Sequence, residues 1–320
     1  MPNELLDRRV LIVLGKGGVG KTALSAALGK LAAGAGKRAL IMECDSRAPL
    51  ATTLGVEASL DPVEVAPNLS LMMLDGRHSL EEYLRLVVPG RMLLKAVFAS
   101  RLYQFFVQAA PGLRELMMLG KIYYETERAP SDPKRHDLII VDAPASGQAL
   151  SLLNMPTAAR STFGDSIVGK EANNISRLLR DRRQCAVAQV TTADSLAVAE
   201  TIETCAKLGR IQMAPSVVLF NRAIPFLFDA DDIATLVGRH RPGKLQKRFE
   251  HLADLADSEL RSAEESRKAV AQIRSATKIP VIEIGEHSGV DGLDLIARLT
   301  ADLASIEAAA TADRVRRSRA

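Results

Sequence analysis

The chain has 320 residues, 47% of them hydrophobic and 25% charged, with a formal net charge of +4. This is an ordinary globular composition, in a chain long enough to fold without a disulfide or metal staple. Three cysteines (Cys44, Cys185 and Cys205) without CxxC or Cys/His spacing exclude a disulfide scaffold and any recognisable zinc or iron–sulfur motif, and they favour the cytoplasm. The richest apolar run, residues 92–110, is interrupted by Lys95 and Arg101. It falls short of the ~20 uninterrupted residues of a membrane span, so an integral membrane protein is not expected. The N-terminus has no signal-peptide layout. Acidic and basic residues are interspersed along most of the chain, and no nucleic-acid partner is expected from them. The local excess of Arg314, Arg316, Arg317 and Arg319 reads as a solvated tail or as a site for an anionic partner.

Short β-branched and apolar runs at 10–14, 39–43, 69–74, 138–141, 186–190, 216–220 and 281–284, most of them continuous, read as strands covered on both faces, and helical patterns separate most of them. The alternation predicts an α/β fold with a doubly wound, mostly parallel sheet. Ligands of such sheets lie beyond the carboxyl ends of the strands. The first run ends in Gly15-Lys16-Gly17-Gly18-Val19-Gly20-Lys21-Thr22, which satisfies GxxxxGK[ST] between a strand and a helix. The glycines let successive backbone N–H groups converge on phosphate oxygens, and the helix N-terminus adds positive potential. Lys21 is placed to reach the β and γ phosphates of a nucleotide, and the Thr22 hydroxyl to ligate Mg²⁺. Lys16 is extra to the ordinary motif and is either a functional cation or a solvated loop lysine.

The second strand run leads into Asp45, at the sheet edge where a carboxylate orients an attacking water or a metal-bound one. Two helix-patterned insertions follow, at about 78–136 and 155–182. The first holds Tyr83, Phe98, Tyr103, Phe105, Phe106, Tyr123 and Tyr124. Within it Leu94, Phe98, Leu102 and Phe105/Phe106 recur at the spacing of one helix face. Leu113, Leu116, Met117 and Tyr124 continue the pattern after Pro111-Gly112, and Met92, Met117 and Met118 add adaptable thioethers. Such a face either packs as a cap on the protein or accepts an apolar partner. Between the insertions the run 138–141 ends in Asp142, the natural acid for Mg²⁺. Gly147, five residues on, is positioned to offer its N–H to a γ-phosphate. Asp45 and Asp142 are each also open to a plain helix-capping role.

With Lys16, the loop resembles the deviant phosphate loop GKGGxGK[ST] of dimeric nucleotide switches. These include the MinD/ParA ATPases, the nitrogenase iron protein and the arsenite-pump ATPases. The order of further motifs resembles one branch, the ATPase family shared by the bacterial arsenite-efflux pump and the guided-entry ATPase for tail-anchored membrane proteins. Asp45-Ser-Arg-Ala-Pro-Leu is similar to a diverged switch I, DPAHNL, and Asp142-Ala-Pro-Ala-Ser-Gly-Gln-Ala-Leu to switch II, DTAPTGHTL. Pro111-Gly-Leu-Arg-Glu resembles the family's PGxxE element, Thr191-Thr-Ala-Asp-Ser-Leu-Ala-Val-Ala-Glu its TTPEELSLAE, and Val217-Val-Leu-Phe-Asn-Arg its VVxNR strand.

The resemblance implies one ATPase domain over 1–320, with a helical subdomain built from the two insertions and a frayed tail at 305–320. It implies ATP hydrolysis in a homodimer, or a heterodimer with a paralogue, whose nucleotide state controls a hydrophobic groove for a membrane-protein helix or other apolar client. Asp45 would orient water, Lys16 would act across the dimer, Thr22 and Asp142 would serve Mg²⁺, and Asn221 would read adenine. The switch histidines are replaced by Ala48 and Gln148, and the CxxC clasp of eukaryotic guided-entry ATPases is missing. Two alternatives are a MinD/ParA-like positioning switch and an arsenical or anion transport subunit. Against the first, the C-terminal tail is too alanine-rich and polar for strong membrane insertion.

Overall fold

A computed structural model describes residues 2–87, 90, 98–100, 112–225 and 246–318. Among these, eight strands form one sheet in the order β3-β4-β2-β5-β1-β6-β7-β8. The strands are β1 (Val10–Gly15), β2 (Ala39–Glu43), β3 (Val63–Ala66), β4 (Leu69–Met73), β5 (Leu138–Asp142), β6 (Cys185–Thr191), β7 (Val217–Ala223) and β8 (Val281–Gly285). All neighbouring pairs are parallel except β3–β4. The seven strand runs legible in the sequence are all present. The eighth, β3, is four residues long, lies at the sheet edge and is partly exposed, so it carries no continuous apolar run. It turns back onto β4 through Asn68, whose φ of 62° is a conformation that Asn tolerates better than most residues.

The described helices are α1 (Pro2–Leu6), α2 (Lys21–Gly34), α3 (Pro49–Leu54), α4 (Gly76–Val87), α5 (Leu113–Thr126), α6 (Ser146–Phe163), α7 (Ile167–Arg180), α8 (Ser195–Arg210), α9 (Gln246–Thr277) and α10 (Gly292–Ser318). Side chains alternate across a strand, so β1 divides its apolar residues between two cores. Leu11 and Val13 pack with Leu24 and Leu28 of α2 and Leu299 and Leu303 of α10. Val10, Ile12 and Leu14 pack with Leu119 of α5, Leu152 of α6 and Leu178 of α7 on the other face. A third cluster joins Val218 and Phe220 of β7 to Val270 and Ile273 of α9. Each large apolar side chain buried in this way contributes about 1.5–3 kcal/mol, which fixes the register of the sheet edge where the loops emerge.

The helices derived from the two insertions lie together. α4 packs on α5, which packs on α6 and α7. The α4–α5 approach is close enough that a Cβ on Gly76 would sit 2.4 Å from the backbone oxygen of Arg114. Of the apolar face at 94–106, only Phe98 is described. It packs beside Leu80, with the Arg85 guanidinium 5.8 Å from its ring. Met92, Leu94, Leu102, Tyr103, Phe105, Phe106 and Pro111 lie outside the described residues. Leu116 is buried in the sheet-facing core, and Met117 and Met118 pack against it.

Candidate nucleotide site

The loop after β1 is shaped by contacts that only glycine permits at two positions. Gly15 has φ 155°, and a Cβ there would meet the Val190 carbonyl oxygen at 2.5 Å. Gly20 has φ 94° in the left-handed region, and its Cβ would lie 2.3 Å from the Asn221 amide nitrogen. Gly20 caps α2 without any side-chain hydrogen bond, so the first N–H groups of the helix are left for a ligand's acceptors. Asn221 is buried in β7 and donates from Nδ2 to the Val19 carbonyl oxygen at 2.9 Å, tying β7 to the loop. Gly17, Gly18 and Gly147 have open space where a Cβ would stand.

Lys21 and Thr22 open α2. The Lys21 ammonium donates to the Lys16 carbonyl oxygen at 3.1 Å. Burial lowers its pKa, while Asp142, Glu200 and Asp45 pull it back up. Thr22 Oγ1 donates to Asp142 Oδ2 at 2.7 Å, and Ser25 Oγ to Asp142 Oδ1 at 3.1 Å. Burial raises the Asp142 pKa against those two hydrogen bonds and the Lys21 charge. A hydroxyl and a buried carboxylate at this distance are hard oxygen donors of the kind Mg²⁺ takes beside phosphate and water, so these residues fit that ion. Asp142 is not a helix cap, since Ala145 occupies that position of α6. Gly147 is the second residue of the same helix.

Asp45 follows β2 and does not cap α3, where the cap is Ala48. Its carboxylate instead accepts Arg47 Nη2 at 2.6 Å, Arg47 Nε at 3.0 Å and the Arg47 backbone N–H at 3.0 Å. These bonds hold the Asp45 pKa below the usual carboxylate range. Lys16 is not a free loop lysine either, because its Nζ lies 3.0 Å from Asp194 Oδ1.

Four residues in this neighbourhood were not singled out by the sequence. Ser25 stands three positions after Thr22, one helical turn along α2, and this spacing could have revealed it. Arg47 fell within a recognised motif but has no counterpart in it. Asp194 has the residue type and position of an N-cap, and its second role is visible only in three dimensions. Glu43 is a carboxylate in an otherwise apolar strand. It is buried and accepts from the Leu50 and Ala51 N–H groups at 2.6 and 3.4 Å.

A phosphate loop between β1 and α2, with acids at the ends of β2 and β5 in a parallel sheet, defines a P-loop nucleoside triphosphatase. The family model described as anion-transporting ATPase matches residues 8–172, and the chain belongs to that family and is an ATPase. ATPase BagA of Mycobacterium tuberculosis is 28% identical over 240 residues, covering 73% of this chain and 70% of that protein. Putative arsenical pump-driving ATPase 1 of Aquifex aeolicus is 27% identical over 164 residues, 48% of this chain and 39% of its own. ATPase ASNA1 homolog 1 of Paramecium tetraurelia is 30% identical over 148 residues, 46% and 43% respectively.

Proposed function

We propose that the chain is a cytoplasmic, dimeric ATPase that hydrolyses ATP to ADP and phosphate and uses its nucleotide state to control binding of an apolar client, such as a membrane-protein helix, at the helices α4, α5 and α7. The observation that carries the client reading is a cavity of about 540 Å³ between these helices, lined by Tyr83, Leu86, Met117, Tyr123, Tyr124 and Ile175 among others. Leu86 and Tyr124 are among the exposed large apolar side chains of the protein. Apolar walls rimmed by Glu82, Lys121 and Arg128 suit a hydrophobic segment with polar flanks. The cavity is mechanically close to the nucleotide site. Asp142 lies four residues before α6, and α6 packs on both α5 and α7. At the start of α6 the buried Ser146 hydroxyl has no hydrogen-bond partner among the described residues.

In this reading the backbone N–H groups of Gly17, Gly18, Val19 and Gly20 and the Lys21 ammonium bind the phosphates. Thr22 and Asp142 would hold Mg²⁺, which would supply positive charge to offset that of the phosphates. Asp45 orients the attacking water, and the Gly147 N–H meets the γ-phosphate. Lys16 reaches the partner protomer's nucleotide and stabilises charge in the transition state as an arginine finger does. Asn221 spends its amide on Val19, which leaves its carbonyl oxygen to accept from the adenine amine. Metalloid ligation is disfavoured because burial pushes the thiols up, Cys185 to about 12 and Cys205 to about 11, and Cys44 likewise upward.

The test is capture of a fluorescent apolar-helix peptide by Asp45→Asn protein loaded with ATP or ADP. Peptide affinity should differ between the two nucleotides. Tyr124→Asp should weaken capture at least about tenfold by putting a charge in an apolar wall. Because Tyr124 is partly exposed, the melting temperature should hold. Equal capture by the Tyr124→Asp protein, or by both nucleotide states, would remove the client reading.

A further inference from the structure

Lys16 is held at two points. Its carbonyl oxygen accepts from Lys21 Nζ at 3.1 Å, and its ammonium lies 3.0 Å from Asp194 Oδ1. The same Asp194 oxygen accepts the Ala197 N–H at 2.8 Å and caps α8. The helix end therefore fixes the carboxylate in place, and the loop lysine comes to it. Both bonds stabilise the ionised carboxylate and keep its pKa below the usual range.

We propose that Asp194 is a positioning residue that latches Lys16 in cis while the chain is unassembled and releases it when Lys16 crosses to a partner protomer's nucleotide. This rests on the trans-lysine reading given above. Two features make the latch exchangeable. The side chains are 29% and 56% exposed, so water and salt screen the pair and it opens at small cost. Lys21 is also the residue that phosphate recruits, so an arriving nucleotide draws Lys21 Nζ away from the Lys16 carbonyl and loosens the second anchor. Nucleotide binding thereby prepares the lysine for transfer before a partner arrives.

The experiment is ATP hydrolysis per chain as a function of protein concentration. Asp194→Asn keeps a good capping oxygen for Ala197 and removes the charge, and Asp194→Ser does the same with a different side chain. Both variants should keep the wild-type melting temperature and reach half-maximal specific activity at a protein concentration lower by at least about twofold. The gap from wild type should narrow as salt is raised, which loss of a cap alone does not produce. An unchanged midpoint in both variants, with Lys16→Ala inactive, overturns the latch and leaves the trans lysine standing. Lys16→Ala protein with full activity, or specific activity independent of protein concentration in every protein, overturns the trans-lysine reading and the latch with it. A midpoint moved to higher concentration also overturns the latch, because Asp194 would then be serving assembly.

Discussion

At the residue scale, Asp45, which we propose orients the attacking water, is engaged by its own neighbour. Arg47 is 86% exposed, yet its guanidinium lies flat against both carboxylate oxygens. Water and salt screen so exposed a pair, which biases the loop without locking it. If the pair competes with water for Asp45, Arg47→Ala should raise kcat by about two- to fivefold with little change in KM for ATP. The pH profile supplies a second readout. Arg47 holds the Asp45 pKa down, so the wild-type carboxylate stays ionised further into acid. Removing Arg47 lets that pKa rise, and the acid limb of the kcat profile should move to higher pH. A profile that does not move, with kcat unchanged, would show that Arg47 is only a surface partner.

At the element scale, α3 shows how a buried charge can serve as a cap. Ala48 occupies the cap position with φ 49° and has no side-chain acceptor to offer. The Glu43 carboxylate at the end of β2 takes over, accepting from the second and third residues of the helix. Burial raises its pKa, the two backbone N–H groups oppose that, and Asp142 and Asp45 add to it. With the folded pKa above the unfolded one, the folded state binds more protons between the two values. Stability is therefore lost as pH rises through that window. Glu43→Gln keeps an acceptor and removes the charge. It should match or exceed wild-type stability at neutral pH, with the advantage growing from pH 4.5 upward in denaturant melts. Glu43→Ala leaves two N–H groups without their acceptor and should cost about 1–3 kcal/mol.

Glu43 also marks how far the sequence could be read. β1, β2, β5 and β6 are legible because strands buried on both faces must be largely apolar, and the loops at their ends carry residues whose chemistry is specific. β3 was missed because a short, half-exposed edge strand needs no such run. Glu43, Arg47 and Asp194 were missed for a different reason. Residue type does not specify the partner, whether that is a neighbour two positions away as for Arg47 or one brought close in the fold as for Asp194, and a carboxylate that caps one helix while holding a loop lysine has the same letter as one that only caps. The Thr22–Asp142 pair is 120 residues apart in the chain and was still legible, because the motif chemistry demands both ends.

At the scale of the whole molecule, the sheet carries the phosphate loop at the end of β1, with Asp45 and Asp142 at the ends of the strands beyond it. Lys16 is turned toward Asp194 at the start of α8, on the β6 side of the loop. In the proposed dimer each hydrolytic site then draws Asp45 from one protomer and Lys16 from the other. A Lys16→Ala homodimer lacks the lysine at both sites, and an Asp45→Asn homodimer lacks the carboxylate at both. Each should bind ATP and hydrolyse it slower by orders of magnitude, since the lost groups act on the transition state more than on ground-state binding. A mixed dimer of the two has one site with neither group and one with both, so mixing two inactive proteins should restore partial turnover. The gain should depend on the proportion of each protein and fall away when either is in large excess. Hydrolysis that stays at the level of the separate variants, in samples where mixed dimers are verified by native mass spectrometry, would place Lys16 in cis. In that case the lysine would act on its own protomer's nucleotide, and assembly would not be needed to complete the site.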